Sequence, residues 1–371
     1  MLKNSMKIKI SVRQFAVLVF LYAVGTTILV TPSGLVADAK QDALIAIIIG
    51  IAISFLIIYL YNTVASLFPQ MTFIEYSEVI FGKWVGKMIS LLYVFGIGFM
   101  GATTLLFYVG NFMTTQIMVG ASINSIMILF AIPVVVALRL GIETLARTAE
   151  ILFPWFVVLY IGLVTFVSPQ MEIENLRPVF QTGIKPVLRA SLDFISIAAL
   201  TSVSFFMIFP MVNNLKKAKK GFYLATFSAG VVIFIISVVS ISVLGVELTE
   251  RHLYPSYALA RMINVGNFLQ RIEAIVAALW LITIYFKLTL YFYVWVDGLA
   301  RILKLSDYRV LILPMSFLLV VYSQVVYPNV TYMMYWDEKI FIPFIITLGI
   351  FMPLLLLAVY FLRFRIFRKS N

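Results

Sequence analysis

The chain has 371 residues, of which 63% are hydrophobic and only 12% are charged, and its formal net charge is +12 at pH 7. This composition excludes a water-soluble globular protein and is typical of a chain whose solvent is the lipid bilayer. Cysteine is absent, which excludes disulfide bonds and thiol chemistry.

Ten long apolar segments follow one another along the chain, and each is close to the length of about 20 residues that crosses a bilayer. The first segment is too long for the apolar core of a signal peptide, so we read it as an uncleaved first helix. The predicted spans are residues 14–36, 43–67, 87–115, 122–139, 148–168, 189–212, 221–245, 271–297, 308–326 and 339–362.

Lys and Arg are distributed unevenly between the loops, and this orients the predicted spans. Most of the 28 Lys and Arg residues lie in the two ends and in the even-numbered loops, where Lys216, Lys217, Lys219 and Lys220 form the strongest cluster. Short loops rich in Lys and Arg stay in the cytoplasm, so we expect a multi-pass protein with both termini cytoplasmic. The positive charge then needs no nucleic-acid partner.

The first span contains residues that interrupt a helix. Gly25, Thr26 and Thr27 lie near its middle, and Pro32 follows. Glycine weakens a helix, proline removes an N–H donor, and short hydroxyl side chains compete for backbone groups. We therefore predict that helix one is broken.

Two further features lie in the first half of the chain. Between spans two and three, Thr72 and Glu75 have the spacing of a capping box ahead of an apolar run, which predicts a short helix that ends near Gly82. In span three, Tyr108 carries a hydroxyl that needs a partner when it is buried. Tyr108 is therefore our candidate for a ligand contact from this helix, with a structural role as the alternative.

The sixth span repeats the interruption of the first. Residues 201–204 lie mid-membrane, Pro210 follows them, and spans one and six start about half a chain apart. Five plus five segments that enter the membrane from opposite sides are the signature of an inverted repeat. We assign residues 1–180 to the first repeat and residues 181–371 to the second, within a single membrane domain.

The paired interruptions predict a central site for a small polar solute. Irregular backbone at this depth is tolerated only where it is buried in protein or lines a cavity. Free N–H groups at a half-helix start can hold a carboxylate, and free carbonyl groups can hold a cation. For one span alone, close helix packing by Gly, Ser and Thr is the alternative, but the matched positions in both halves favour a site.

The sequence also resembles a known family. Residues 25–32, 69–86 and 209–220 are similar to the B subunits of endospore germinant receptors, a branch of the amino acid-polyamine-organocation transporter superfamily. The resemblance implies an all-α, LeuT-like fold of ten transmembrane helices, with a small nutrient such as an amino acid bound at the breaks of helices one and six. It also implies residence in the spore inner membrane and assembly with a larger A-type membrane subunit and a C-type lipoprotein. The residues to which it assigns ligand binding are Gly25, Thr26, Thr27, Ala199, Leu200, Thr201, Ser202, Val203 and Ser204.

Lys287 is the one charge deep inside a predicted span, and such residues are functional candidates. In a fold of this kind the eighth helix lies against the first, where sodium-coupled relatives hold an ion. We hypothesise that the ammonium replaces that ion by bonding carbonyl groups freed near Gly25, on a stripe shared with Thr283. The same pair is a candidate for proton coupling. The alternative is that Lys287 extends to the cytoplasmic interface.

The outer loop between spans seven and eight predicts a short amphipathic helix. Pro255 suits the start of a helix, and the apolar positions Ala258, Leu259, Met262 and Ile263 then recur at helical spacing. We expect this helix to lie across the outer mouth, as a lid or as a surface for a partner.

The residues give no support for an enzyme. Cysteine is absent and only one histidine is present, so nucleophilic catalysis and metal ligation lack their parts. We expect no catalytic residue, metal or cofactor. The leading interpretation is a B subunit that binds a nutrient, an amino acid or a sugar, in the spore inner membrane or the cell membrane. The alternative is a proton-coupled amino-acid transporter (permease), but the single Gly25 in helix one, where such transporters have more glycine, favours binding over transport.

Overall fold

The computed structural model describes residues 9–262 and 273–367, and these residues are almost entirely helical. Eight helices in the described ranges are long and apolar enough to cross a membrane, so the prediction of an all-α, multi-pass membrane protein is confirmed. Two further apolar helices, Val12–Val24 and Arg309–Val325, are shorter. The count of ten spans therefore stays a prediction, as does the division at residue 180.

Sixteen α-helices follow one another along these ranges, and turns of π-helix join some of them end to end. Such turns make one continuous helix of Lys83–Ile117 and another of Val330–Arg363. The α-helices are α1 (Val12–Val24), α2 (Thr27–Ala39), α3 (Ala43–Leu67), α4 (Phe73–Phe81), α5 (Lys83–Tyr93), α6 (Met100–Phe112), α7 (Ile123–Leu140), α8 (Ile142–Val167), α9 (Ile184–Ala198), α10 (Leu215–Arg251), α11 (Pro255–Met262), α12 (Glu273–Ile302), α13 (Arg309–Val325), α14 (Val330–Tyr335), α15 (Ile342–Ile346) and α16 (Met352–Phe367).

Helix one is broken, as predicted, between α1 and α2. The chain turns at Gly25, where an added Cβ would stand 2.5 Å from Cδ of Lys287 and 2.7 Å from the carbonyl oxygen of Tyr22. Both distances are far below van der Waals contact, and the second is to backbone. Glycine is therefore required here by the close approach of α12 and of the preceding turn.

The proline in α2 leaves a carbonyl group that a distant helix satisfies. Pro32 has no N–H, so the carbonyl oxygen of Ile28 lacks its usual helical donor. The hydroxyl of Ser256, at the start of α11, donates to this oxygen at 2.7 Å, and Ser256 is fully buried. The short helix predicted after Pro255 is confirmed as α11, and this hydrogen bond joins it to α2. Ile263, which was predicted to belong to it, lies outside the described residues.

Helix six is also broken, as predicted. The α-helix α9 ends at Ala198 and the chain continues as a 3-10 helix over Leu200–Met207. Three buried tyrosines donate to backbone carbonyl groups of this stretch: Tyr22 to Thr201 (2.7 Å), Tyr61 to Leu200 (2.9 Å) and Tyr93 to Val203 (3.1 Å). The protein itself thus supplies donors that the interrupted helix lacks.

The end of the fold where Ile10 lies, called here the inner end, is closed. Ile10 is fully buried, its N–H donates to the Met211 carbonyl (2.9 Å), and its carbonyl accepts from the Asn213 N–H (3.1 Å). Behind this pairing, the rings of Phe205, Phe209 and Phe222 surround Phe15 with centroid distances of 5.2 to 5.8 Å. Residues at the start of helix one and around the end of helix six therefore seal one end of the bundle.

The short helix predicted after Thr72 is present as α4. The Glu75 side chain accepts the Thr72 N–H at 2.7 Å, which is the expected capping interaction. Glu75 also pairs with Arg301 of α12 at 3.1 Å, and Phe73 stacks on Phe206 of broken helix six. This helix consequently joins helix six to α12 near the inner end. Residues 1–8, 263–272 and 368–371, which include the start of the predicted eighth span and part of both charged ends, lie outside the described residues.

Candidate functional site

A cavity of about 410 Å³ lies beside the two breaks, within the range of about 300 to 1,000 Å³ that is usual for small-molecule sites. Its floor includes Thr26 of helix one and Thr201 of helix six, and it extends along α2 and α9 to Asp38 and Arg189. Since Ile10 precedes α1 and Asp38 lies near the end of α2, the cavity lies toward the end of the fold opposite the inner end. We call this opposite end the outer end.

Only part of the predicted ligand-binding set reaches the cavity. Thr26, Tyr108, Thr201 and Lys287 line it. The remaining predicted residues do not line it, and several have backbone or hydroxyl groups with partners inside the protein, such as the carbonyls of Leu200, Val203 and Ser204 that accept from tyrosines. The predicted residues outside the lining are Gly25, Thr27, Ala199, Leu200, Ser202, Val203, Ser204 and Thr283.

Lys287 connects the two breaks directly. Its side chain is 1% exposed, and Nζ donates to Oγ1 of Thr26 (3.3 Å) and to the carbonyl oxygen of Ile197 (3.2 Å). Nζ also lies 5.2 Å from the centroid of the Tyr22 ring, within the range of a cation–π contact. The ammonium is therefore buried at the floor of the cavity and does not extend to an interface.

The partners of Lys287 differ from those expected from the sequence. The expectation was a bond to carbonyl groups freed near Gly25, but the Gly25 carbonyl accepts from the hydroxyl of Thr283 at 3.2 Å. The lysine passes Gly25, where the missing Cβ leaves room for its Cδ, and its ammonium reaches the end of α9. Its carbonyl partner consequently comes from helix six, which a reading of helix one alone does not reveal.

Tyr108 has a partner that the sequence analysis missed. Its hydroxyl donates to Oδ2 of Asp337, which lies in the π-helical turn Trp336–Phe341, and both side chains line the cavity. Asp337 precedes the predicted last span, so it was treated as part of a loop. The structure instead brings its carboxylate to the wall of the cavity.

Asp193 is a second carboxylate in the cavity that sequence reasoning passed over. It lies in α9, lines the cavity, and approaches Gly34 of α2 so closely that a Cβ there would stand 2.9 Å from Oδ2. The sequence does contain a signal for it. Asp193, Ile197 and Thr201 recur every four residues, which places them on one helical stripe.

The outer mouth of the cavity is charged. Arg189 pairs with Asp38 of α2 (3.2 Å) and with Glu338 (2.8 Å), and Lys40 pairs with Glu250 of α10. These pairs are partly exposed and contribute little to stability individually. Deeper in the cavity, the buried hydroxyl of Thr31 has no hydrogen-bond partner in the described part of the chain.

Sequence comparison identifies related proteins. The model of the family described as "Spore germination protein" matches residues 9–331. Spore germination protein KB of Bacillus subtilis (strain 168) is 31% identical over 326 residues, which cover 87% of this chain and 86% of that protein. Spore germination protein YndE of the same strain is 24% identical over 304 residues, with 80% and 82% covered.

Structural comparison places the fold among membrane transporters. Mhp1, a nucleobase-cation-symport-1 family transporter solved in a closed conformation with bromovinylhydantoin bound, matches with a TM-score of 0.69 at 13% identity, covering 95% of this chain and 78% of that one. A Na⁺-coupled sialic acid symporter in a substrate-bound outward-open state has a TM-score of 0.64 at 12% identity, with 94% and 78% covered. The likeness is one of fold, and it confirms the LeuT-like architecture. The sequence relatives are germination proteins and the structural neighbours are transporters, so the chain is not an enzyme.

Proposed function

Because the chain belongs to the spore germination protein family, we propose that it is the B subunit of a germinant receptor, which binds a small nutrient between broken helices one and six and thereby triggers germination. The observation that carries this proposal is the cavity of about 410 Å³ whose floor is formed by both breaks. An amino acid is the preferred candidate for the nutrient, because the ammonium of Lys287 and the carboxylates of Asp193 and Asp337 line the cavity.

The geometry supports a response to binding as well as binding itself. Thr26, Ile197 and Lys287 belong to helix one, helix six and α12, and they are joined by the two hydrogen bonds of the Lys287 ammonium. A ligand at this floor contacts segments whose helical bonding is already interrupted. If it binds one arrangement of these segments more tightly than another, it shifts the population between them by the difference in binding free energy.

The proposal includes a location and partners. The uneven distribution of Lys and Arg favours cytoplasmic termini, so the cavity would open away from the cytoplasm, in the spore inner membrane or the cell membrane. A larger A-type membrane subunit and a C-type lipoprotein would complete the receptor and pass on the change of conformation.

Ligand-dependent thermal stabilisation of the detergent-purified protein tests this function. The compounds are a panel of amino acids and sugars, and the blocked variant is Thr26→Trp, because an indole at the floor fills the space where both breaks meet. The matched control is Thr165→Trp, which places the same side chain on an exposed position of α8 outside the cavity. We expect a shift with at least one compound in the wild type and in the control, and none in Thr26→Trp. The absence of a shift with every compound contradicts ligand binding by this subunit.

A proton-coupled amino-acid transporter is the second candidate. It is favoured by the transporter fold and by Lys287, an ionisable group at the point where the two breaks meet. Uptake of a radiolabelled ligand into proteoliposomes that contain this chain alone, accompanied by proton entry, supports transport. Binding without uptake supports the receptor subunit.

A further inference from the structure

We infer that Lys287 and Asp193 together recognise the two opposite charges of a zwitterionic α-amino acid, with the ligand carboxylate toward Lys287 and the ligand ammonium toward Asp193. This inference rests on the proposed function and adds which charges of the nutrient are recognised, by which side chains and in which orientation. In other transporters built from inverted repeats, half-helix N-termini point at the anionic group of the substrate.

The first charge is the ammonium of Lys287. It is buried at the cavity floor, and its hydrogen bonds go to two uncharged oxygens, the Thr26 hydroxyl and the Ile197 carbonyl. Across residues 9–262 and 273–367, no carboxylate forms an ion pair with it. A buried charge without a counter-charge is unfavourable, so a carboxylate that enters the cavity is stabilised here.

The second charge is the carboxylate of Asp193. Among the residues that the structure describes, no side chain or backbone group donates a hydrogen bond to it. The nearest candidate on its own helix, Arg189, is engaged at the mouth with Asp38 and Glu338. Asp337, whose carboxylate accepts from Tyr108, adds negative charge to the same cavity. A cationic group of the ligand is therefore favoured above the floor.

The spacing of the two charges leaves room for an amino acid. Asp193 and Ile197 are four residues apart in α9, so their Cα atoms lie one turn, about 6 Å, apart along the helix axis. The Asp193 side chain leans toward the start of α9, whereas the Ile197 carbonyl that holds the Lys287 ammonium points toward its end, so the two charged groups are too far apart for a direct ion pair. An α-amino acid that lies between them can form a charge-assisted hydrogen bond of roughly 2.8 Å at each end.

The orientation follows from the course of α9. Ile197 lies next to the break, whereas Arg189 lies at the mouth, and Asp193 is between them. The ligand carboxylate consequently points to the floor and the ligand ammonium to the mouth. A sugar leaves both protein charges unpaired, and a simple amine or a simple carboxylic acid leaves one of them unpaired.

Equilibrium binding to the purified full chain tests the inference. The probes are the twenty protein amino acids and D-glucose, followed by the deaminated acid and the decarboxylated amine of the amino acid that binds most tightly. In the wild type we expect each analogue to bind about 10- to 100-fold more weakly than the amino acid, because one charge-assisted hydrogen bond is lost. Asp193→Asn should weaken the amino acid by a similar factor and leave the deaminated acid unchanged. Lys287→Met should weaken the amino acid and leave the amine unchanged.

The control is Glu143→Gln, which removes a carboxylate of α8 that pairs with Arg147 and does not line the cavity, and it should alter none of these ratios. Thermal unfolding of each variant shows whether it folds, and the wild-type ratios remain informative if Lys287→Met does not. Equal affinity for the amino acid and its deaminated acid overturns the inference. Binding of D-glucose alone also overturns it but leaves the proposed function intact, whereas binding of none of the probes overturns both.

Discussion

The breaks in helices one and six arise from similar sequence signals but are stabilised in different ways. In helix six, the hydroxyls of Tyr22, Tyr61 and Tyr93 donate hydrogen bonds to carbonyl oxygens of the 3-10 stretch. In helix one, Thr26 faces the cavity and is bonded by Lys287, and the carbonyl freed by Pro32 is bonded by Ser256. An interruption in a membrane helix is therefore not by itself a ligand site. It becomes one where the protein leaves polar groups facing a cavity.

The largest effect is expected at the turn of helix one. Gly25→Ala places a methyl group 2.7 Å from the Tyr22 carbonyl oxygen and 2.5 Å from the Lys287 side chain, so the turn must open or the lysine must move. We expect a loss of stability of about 3 kcal/mol, measured by unfolding in detergent. The matched control is Gly162→Ala in α8, where the nearest neighbouring atom is 3.9 Å away. Equal stability of the two variants would show that the turn adapts freely.

A smaller effect is expected at the break of helix six. Tyr61→Phe removes the one hydroxyl that donates to both the Leu200 and Gly349 carbonyl oxygens, each at 2.9 Å. Leaving buried acceptors without a donor costs about 2 kcal/mol. Tyr59→Phe on the same helix, where the side chain is 66% exposed, should change the unfolding free energy by less than about 0.5 kcal/mol. Ligand binding should survive Tyr61→Phe, because Leu200 and Gly349 do not line the cavity, and a selective loss of binding without loss of stability would contradict a structural role for this hydroxyl.

The smallest effect is expected where α11 meets α2. Ser256→Ala removes the 2.7 Å bond to the Ile28 carbonyl and should cost about 1 kcal/mol. Ser168→Ala, whose hydroxyl bonds only within its own turn at the exposed end of α8, serves as the control in the same unfolding experiment. If restoring the helical donor by Pro32→Ala makes Ser256→Ala harmless, the two sites are coupled as the geometry requires. Additive effects of the two substitutions would contradict this.

The sequence predicted where the helices break but not what satisfies the breaks. The breaks are caused by residues that act on their own backbone: Gly25, Pro32 and the hydroxyl residues within 201–204. Their effect is local, so the sequence alone predicts it. The donors come from residues far away in the chain, as with Tyr61, which is 139 positions from Leu200. Which phenol meets which carbonyl is decided by the packing of whole helices, and no local pattern encodes it.

The charged residues of the cavity divide in the same way. Lys287 was predictable because an ionisable residue within an apolar run is costly to bury in a membrane and is therefore a functional candidate. Its partner, the Ile197 carbonyl, carries no side-chain signal at all. Asp337 was missed because it precedes the predicted span, and it reaches the cavity through a π-helical turn that hydropathy does not reveal.

The pairing of Ile10 with Met211 and Asn213 has a consequence for truncation of this protein. The two backbone hydrogen bonds and the buried isoleucine side chain hold Ile10 against the segment that follows helix six. Any arrangement that opens the inner end must first break these contacts. A truncation that removes Ile10 therefore breaks both backbone bonds, and we expect it to favour arrangements in which the inner end is open.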